Sequence, residues 1–277
     1  MMLKYDLHSH STASDGSLTP EALVARAKSQ GVDVLALTDH DVVDGLKAAA
    51  LSAARHGVKL IAGVEISVTW NRTTIHVLGL GIDPENECLL QGLSGLRQFR
   101  DSRAEAIANR LAEKGINGAL EGAKQFASGD ILSRTHFAHF LVSAGYAKDV
   151  RDVFKRYLVK NKPGYVAGKW ASLTQAVEWI TGAGGQAVIA HPARYRLSAT
   201  KLRQLLDTFR LSGGIGLEVV SSSHSDAECA LMGRYATQFE LLASCGSDYH
   251  GPAQAWAELG RMPAMPEECT PIWHQWN

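Results

Sequence analysis

No two of the four cysteines, Cys88, Cys229, Cys245 and Cys269, have the C-x-x-C spacing of a structural zinc site or a redox motif. Four thiols in 277 residues are also too sparse for a disulfide framework, so reduced cysteines in a soluble cytoplasmic protein are the expectation. Long apolar runs are missing too. Nothing approaches the roughly 18 apolar residues of a membrane span, and Leu3-Lys-Tyr-Asp-Leu7 is not preceded by an apolar stretch of signal-peptide length. No membrane role is expected. Charge of one sign is not in excess: 28 basic residues balance 28 acidic ones, so any polyanion must be met by a local patch. Repeats and low-complexity segments are absent, and no feature marks a protein partner. Nor is there a G-x-S-x-G or a G-x-x-x-x-G-K-[ST], which leaves the chain without a recognisable serine nucleophile or P-loop.

What the chain does have is histidine and carboxylate where strands end. Tyr5-Asp-Leu-His-Ser-His-Ser-Thr-Ala-Ser-Asp-Gly16 opens as a short strand, whose alternation places Asp6, His8 and His10 on one face. Two imidazoles so spaced can close on one metal ion, and Asp15 adds a carboxylate from the following turn. Thr19-Pro20-Glu21 starts a helix that Gly31 ends. Val32 to His40 reads as a buried strand whose inward row finishes at His40, with Asp39 and Asp41 of opposite parity in supporting positions. A helix over about 43–56, a strand from Lys59 to Val68 carrying Glu65, and a strand from Thr73 to Gly81 carrying His76 follow. An acid or imidazole in so apolar a strand is costly to bury without a strong partner, and a metal is one.

From about 86 to 171 helical patterns take over, as in 98–114 and 135–145, and are read as an insert. The stretch from Lys148 to Lys169 holds seven basic residues against two acids, which suits an anionic substrate beneath a lid. The α/β rhythm then resumes, with helices over 173–182, from about 198 and over 226–239, and strands ending near His191, Ser221 and His250. Seven strands separated mostly by helices predict a parallel α/β fold, a barrel first and a doubly wound open sheet second. The expected division is a barrel of residues 1–85 and 172–277 with the insert at 86–171.

His8, His10, Asp15, His40, Glu65, His76, His191, Asp248 and His250 stand at or near those strand ends. Nine imidazoles and carboxylates are too many for one ion and suit two or three divalent ions, Mn²⁺ ahead of Zn²⁺ or Fe²⁺. Metals roughly 3.5–4 Å apart would ready hydroxide for attack on phosphorus with no protein nucleophile needed. His56 and His274 read as surface residues.

Asp6-Leu-His-Ser-His-Ser, Leu37-Thr-Asp-His-Asp41, Gly63-Val-Glu65, His76, Ala190-His-Pro192 and Gly246-Ser-Asp-Tyr-His250 together resemble the motif set of the PHP (polymerase and histidinol phosphatase) family of metal-dependent phosphoesterases. The resemblance implies a distorted (β/α)7 barrel with a trinuclear centre. Carried over by position, one metal takes His8, His10, Glu65 and Asp248; a second shares Glu65 and adds His76 and His191; a third takes Asp15, His40 and His250. Within the insert, Leu132-Ser-Arg-Thr-His-Phe-Ala-His139 and Tyr157-Leu-Val-Lys-Asn-Lys-Pro-Gly-Tyr-Val166 resemble the branch that acts on nucleoside 3′,5′-bisphosphates, whose members also degrade short RNA from the 5′ end.

This resemblance makes Arg134 a phosphate grip and His136 a donor to phosphate or to the leaving alkoxide. Lys162, Arg194 and His224 are further substrate-contact candidates, while His139 is expected to pack. The expected reaction is removal of the 3′-phosphate from a nucleoside 3′,5′-bisphosphate, such as adenosine 3′,5′-bisphosphate, by a metal-bound hydroxide. A 5′–3′ exoribonuclease on short RNA, a histidinol-phosphate phosphatase and a non-catalytic metal-binding regulatory module are the alternatives.

Overall fold

The computed structural model describes residues 3–127, 129, 131–254 and 256–276. The few others that fall inside the expected domain limits lie outside this description. Strands β1 (Tyr5–Asp6), β2 (Val34–Leu37), β3 (Lys59–Trp70), β4 (Thr73–Leu80), β5 (Gln186–Ile189), β6 (Gly216–Ser221) and β7 (Leu242–Gly246) are hydrogen-bonded in chain order. The ends of this sheet meet: the Leu7 amide donates to the Cys245 carbonyl at 2.9 Å, and the Asp248 amide to the His8 carbonyl at 2.9 Å. The result is a nearly closed, distorted seven-stranded α/β barrel.

One strand departs from the parallel arrangement that the strand–helix rhythm suggests. β4 runs antiparallel to both β3 and β5. Only Asn71 and Arg72 separate it from β3, both at positive φ. Two residues make a hairpin turn, whereas a parallel return needs a dozen or more. The reversal brings the start of β4, and with it His76, to the rim where the parallel strands finish.

The helices are α1 (Pro20–Ser29), α2 (Leu46–His56), α3 (Glu87–Ala112), α4 (Ala119–Lys124), α5 (Arg134–Ser143), α6 (Val150–Val153), α7 (Leu173–Gly182), α8 (Ala199–Leu211) and α9 (Asp226–Gln238). Their starts are written in local chemistry. Thr19 caps α1 ahead of Pro20, and Ser172–Gln175 and Ser225–Glu228 form capping boxes on α7 and α9. α3 begins well before the expected Gln98, because the Asn86 side chain accepts from the Leu89 amide at 3.0 Å.

Strand alternation sorts the core into two layers. Leu7, Val34, Ala36, Ile61, Leu78 and Val188 fill the lower barrel, and Tyr5 stacks on Trp273 with ring centres 4.1 Å apart beneath them. Leu35, Leu37, Val64, Ile66 and Leu217 face outward under the helices. A second apolar cluster, including Ile107, Leu111, Phe137, Leu141 and Leu158, lies wholly within residues 104–158. α3 joins the two, since Leu89, Leu93 and Leu96 near its start pack on the barrel core.

Gly246 is where β7 passes closest to the rim. A Cβ there would lie 2.8 Å from the His8 amide nitrogen and 2.6 Å from Glu218 Oε1. Gly246→Ala is therefore expected to destabilise the fold by about 1–3 kcal/mol through overpacking. Urea unfolding measures this, and an unchanged midpoint would show that the rim has slack.

Candidate metal centre

Above the apolar layer the barrel turns polar. His40 follows β2, His191 follows β5, Asp248 and His250 follow β7, and Glu65 lies mid-way along β3, bridged to His40. His8 and His10 reach the same rim by a less regular route than alternation predicts. Strand pairing stops at Asp6, Leu7 enters the barrel interior, and the chain then leaves strand geometry. Asp6 consequently faces away from the two histidines and accepts from the Ser247 and Gly260 amides, each at 2.9 Å.

Glu65 is fully buried and surrounded by imidazoles. Its Oε1 lies 2.7 Å from His76 Nδ1 and 3.1 Å from His191 Nε2. Its Oε2 lies 3.3 Å from His8 Nε2, 3.2 Å from His10 Nε2 and 3.0 Å from His40 Nδ1. Asp248 Oδ1 joins the second group, 3.4 Å from His8 Nε2 and 3.3 Å from His10 Nε2. Asp15 Oδ1 lies 3.3 Å from His250 Nε2 and 3.9 Å from His40 Nε2. Donor atoms fall within 4.8 Å of one another in three overlapping sets: His8, His10, Glu65 and Asp248; His10, Asp15, His40 and His250; and His40, Glu65 and His76.

These residues fit divalent cations. His8 Nε2 and His10 Nε2 are 3.1 Å apart, a close approach of two acceptors unless a proton or a cation lies between them. Buried Asp15 Oδ1, His40 Nδ1, Glu65 Oε2 and His76 Nδ1 have no partner with hydrogen-bond geometry among the described residues. Unsatisfied buried polar atoms cost stability, and here they converge. Burial alone would raise the carboxyl groups of Glu65, Asp15 and Asp248, but neighbouring histidines, and Arg194 beside Asp248, hold all three well below the usual carboxylate range. His191 is driven by burial down to about 4, which leaves a neutral ring with a free lone pair.

Supporting contacts orient the rings. Glu218 Oε1 accepts from His8 Nδ1 at 3.0 Å, and its Oε2 accepts from the His191 amide at 2.5 Å. His250 Nδ1 donates to the Asp248 carbonyl at 2.9 Å. In His8 and His250 one ring nitrogen is tied back and the other is turned inward, while His191 is held through its backbone. Asp39 accepts from Ser11 and Ser14, and Asp41 accepts from the Ser67 amide and from Arg100, so both pin loops. Asp41, His191 and Asp248 hold φ of 54°, 28° and 53°, left-handed conformations that cost side chains of this kind on the order of 1 kcal/mol or more.

Sequence reasoning did not collect Glu218, although it gives the same signal as Glu65, an acid inside an apolar strand. Arg100, Arg103 and Trp170 were also missed, and with Arg134 and Arg194 they line the cavity above the rim. Burial and the neighbouring Arg134 and Arg100 lower the Arg103 guanidinium to about 9. Among the described residues neither Arg103 nor Arg134 meets a carboxylate. Arg103 donates to the Val166 carbonyl at 3.3 Å, and Arg134 lies over the Phe154 ring. Cations so placed have the geometry to receive an anion.

The other expected substrate contacts divide. Arg194 lines the cavity and pairs with Asp248 Oδ2. His136 completes the α5 capping box: its Nδ1 accepts from the Ser133 amide at 3.1 Å, which leaves the proton on Nε2. His224 has both ring nitrogens engaged by backbone, the Val219 carbonyl at 3.1 Å and the Ala193 amide at 3.4 Å, so it braces the loop carrying Arg194. Lys162 is not brought to the centre. It lies exposed in a separate groove with Arg110, Lys114 and Tyr165, because the 159–165 turn leads away from the rim. His139 stacks near Phe126, 5.9 Å between ring centres.

The family model described as PHP domain matches residues 6–219. The chain belongs to the PHP domain family. It is 46% identical to a 3′,5′-nucleoside bisphosphate phosphatase of Chromobacterium violaceum, covering 99% of this chain and 96% of that protein. It is 44% identical to the 5′-3′ exoribonuclease Rnm of Escherichia coli, covering 99% and 94%. A solved structure of an amidohydrolase from Chromobacterium violaceum, with bound sulfate and no metal, superposes with a TM-score of 0.95 at 45% identity over 98% of this chain and 95% of that one. The chain is thus a hydrolase of the metal-dependent phosphoesterase kind, and the reading as a non-catalytic module falls. Among the described residues no helix is long and apolar enough to cross a membrane.

Glu218→Gln keeps the shape of the contact to His8 but removes its charge. Metal affinity of the stripped protein is expected to fall by about 10-fold or more on this change. Metal titration followed by elemental analysis checks it; an affinity equal to wild type would mean that Glu218 does not tune His8.

Proposed function

We propose that the protein removes the 3′-phosphate of nucleoside 3′,5′-bisphosphates, with adenosine 3′,5′-bisphosphate as the type substrate. The observation that carries this reading is the division of Glu65, one oxygen toward His76 and His191 and the other toward His8, His10 and Asp248's neighbourhood, beneath four cavity-lining arginines. His8, His10, Glu65 and Asp248 would hold one cation, Glu65, His76 and His191 a second, and Asp15, His40 and His250 a third. Mn²⁺ is the first choice and Zn²⁺ or Fe²⁺ the alternatives for this nitrogen and carboxylate set. When bound, such ions supply Lewis-acid charge for phosphoryl oxygens and lower the pKa of a coordinated water.

The chain's own groups account for the rest. Among the described residues Arg134 and Arg103 meet no carboxylate, and they take the second phosphate; Arg134 in particular can grip two oxygens. Arg194, held by Asp248, presents the remainder of its guanidinium to the phosphate at the rim. His136, with its proton on Nε2, donates to a phosphate oxygen or to the departing 3′-oxygen. Trp170, packed under Arg100 and Arg103 with guanidinium carbons 5.0 and 5.2 Å from the ring centre, fixes both cations and walls off solvent. A doubly anionic small molecule suits this lining. Histidinol phosphate, with its ammonium group, does not.

We read residues 86–171 as the lid domain over a barrel of 1–85 and 172–277, and the four unpaired cysteines as belonging to the cytoplasm. A second reading, 5′–3′ cleavage of short RNA, is favoured by the 44% identity to the exoribonuclease of Escherichia coli across nearly the whole chain. The two reactions use the same centre.

With Mn²⁺ restored, the protein is expected to release inorganic phosphate from adenosine 3′,5′-bisphosphate and leave the 5′-monophosphate. Glu65→Gln should lower kcat by at least about 10²-fold. Arg134→Ala should raise KM by about 10–100-fold, the loss of a charged hydrogen-bonding partner. Phosphate release resolved by product chromatography tests all three. A loaded protein that releases none, or a Glu65→Gln variant with full turnover, overturns the reading.

A further inference from the structure

The cavity is not the end of the basic surface. Arg100, Arg103, Arg110 and Lys114 recur at spacings of three, seven and four residues, so they fall on one side of α3 and of the turn just past its end. From Arg100 to Lys114 this side runs about 20 Å at the rise of a helix. Two acids of the same stretch, Asp101 and Glu105, are kept off it and line a different groove with Lys124. Arg100 and Arg103 open into the metal cavity, whereas Arg110 and Lys114 line a second groove with Asn161, Lys162 and Tyr165.

One stretch of chain connects the two. Trp170 packs against Arg100 and Arg103, the Val166 carbonyl accepts from Arg103, the Tyr165 carbonyl accepts from Arg110, and Gly164 packs against Leu111. Residues 161–170 therefore lie beside α3, running back from the second groove to the cavity. In that groove three cations, Arg110, Lys114 and Lys162, face a single acid, Glu113. Arg110, Lys114 and Lys162 are exposed, and Lys160 adds a further exposed charge beside them. A nucleoside bisphosphate seated in the cavity has no use for charges so far along the helix. A longer phosphodiester does.

We infer that the side of α3 from Arg103 to Lys114, together with the turn at Asn161–Tyr165, is a binding track for the backbone of single-stranded RNA whose 5′ end occupies the metal cavity. This rests on the RNA-cleaving reading of the centre. Exposed lysine and arginine along a groove bind phosphates without regard to sequence, and Tyr165 offers a ring on which a base can stack. The track makes affinity grow with chain length beyond the first nucleotides, and it makes that added affinity dependent on salt.

The test uses the metal-loaded protein and a double variant, Lys114→Glu with Lys162→Glu, neither residue belonging to the catalytic centre. Binding of a 3′-fluorescein-labelled, 5′-phosphorylated five-residue oligoribonucleotide with phosphorothioate linkages is followed by fluorescence anisotropy against salt. A two-residue oligomer and hydrolysis of adenosine 3′,5′-bisphosphate serve as references. The expected result is that the variant binds the longer oligomer about 10-fold more weakly, with a log K against log salt slope shallower by about 1.4, while bisphosphate turnover is unchanged. Equal affinity and slope in the variant, or wild-type binding no tighter to five residues than to two, overturns the track. A parallel fall in bisphosphate turnover also overturns it, because the loss would then belong to the fold or the lid. Cleavage of a phosphodiester version is scored separately: tight, variant-sensitive binding without cleavage leaves the track standing and removes the exonuclease reading.

Discussion

A buried carboxylate among imidazoles is the constraint on which the rest of the molecule depends. Glu65 is shielded from solvent and has five histidine nitrogens within 3.3 Å, three at one oxygen and two at the other. An isolated carboxylate so buried would cost several kcal/mol. Positive charge must be drawn to it, whether as protons on His8 and His10 or as metal ions in their place. The histidines come from chain segments far apart, so satisfying Glu65 also fixes how β1, β2, β4 and β5 meet at one rim.

The barrel's distortion serves this arrangement. Had β4 followed β3 through a long crossover, its start would lie at the opposite end of the barrel and His76 with it. The two-residue turn at Asn71–Arg72 reverses the strand and presents His76 to Glu65 Oε1. Tyr195, on the loop after β5, accepts from the His76 amide at 2.8 Å and holds that end of β4. The same loop carries Arg194 and is braced by His224, so the loop after β5 couples the candidate metal ligands to the arginine-lined side of the cavity. Across from it, α3 brings Arg100 and Arg103 over the rim, and Arg100 is locked by Asp41 and Ser67.

Much of this is legible in the residues. Strand-length apolar runs that carry or end in His, Glu or Asp pick out eight of the nine rim residues, and Asp15 comes from the turn after the first of them, because water alone does not explain acids and imidazoles placed in or just past buried strands. Helix starts are legible for the same reason, through Thr19, Ser172 and Ser225. What pattern does not carry is relative orientation. Leu7 and His8 both turn inward where pairing with β2 stops at Asp6, and there the backbone is held by Cys245 and Asp248, more than two hundred residues away. Arg100 and Arg103 read as ordinary solvated helix positions until the 161–170 segment and Trp170 are laid over them. Lys162 shows the converse: a basic residue inside a motif expected to bind phosphate is carried off by the turn on which it sits. Glu218 was legible and overlooked, since the rule that marks Glu65 marks it equally.

The central claim is that Glu65 is shared, one oxygen for each of two cation positions. Diffraction from crystals loaded with Mn²⁺, recorded at the manganese absorption edge, tests it most directly. Anomalous peaks are expected on both sides of the Glu65 carboxylate, one beside His8, His10 and Asp248 and one beside His76 and His191. Peaks elsewhere on the molecule, or a single peak with Glu65 outside its coordination, would contradict it.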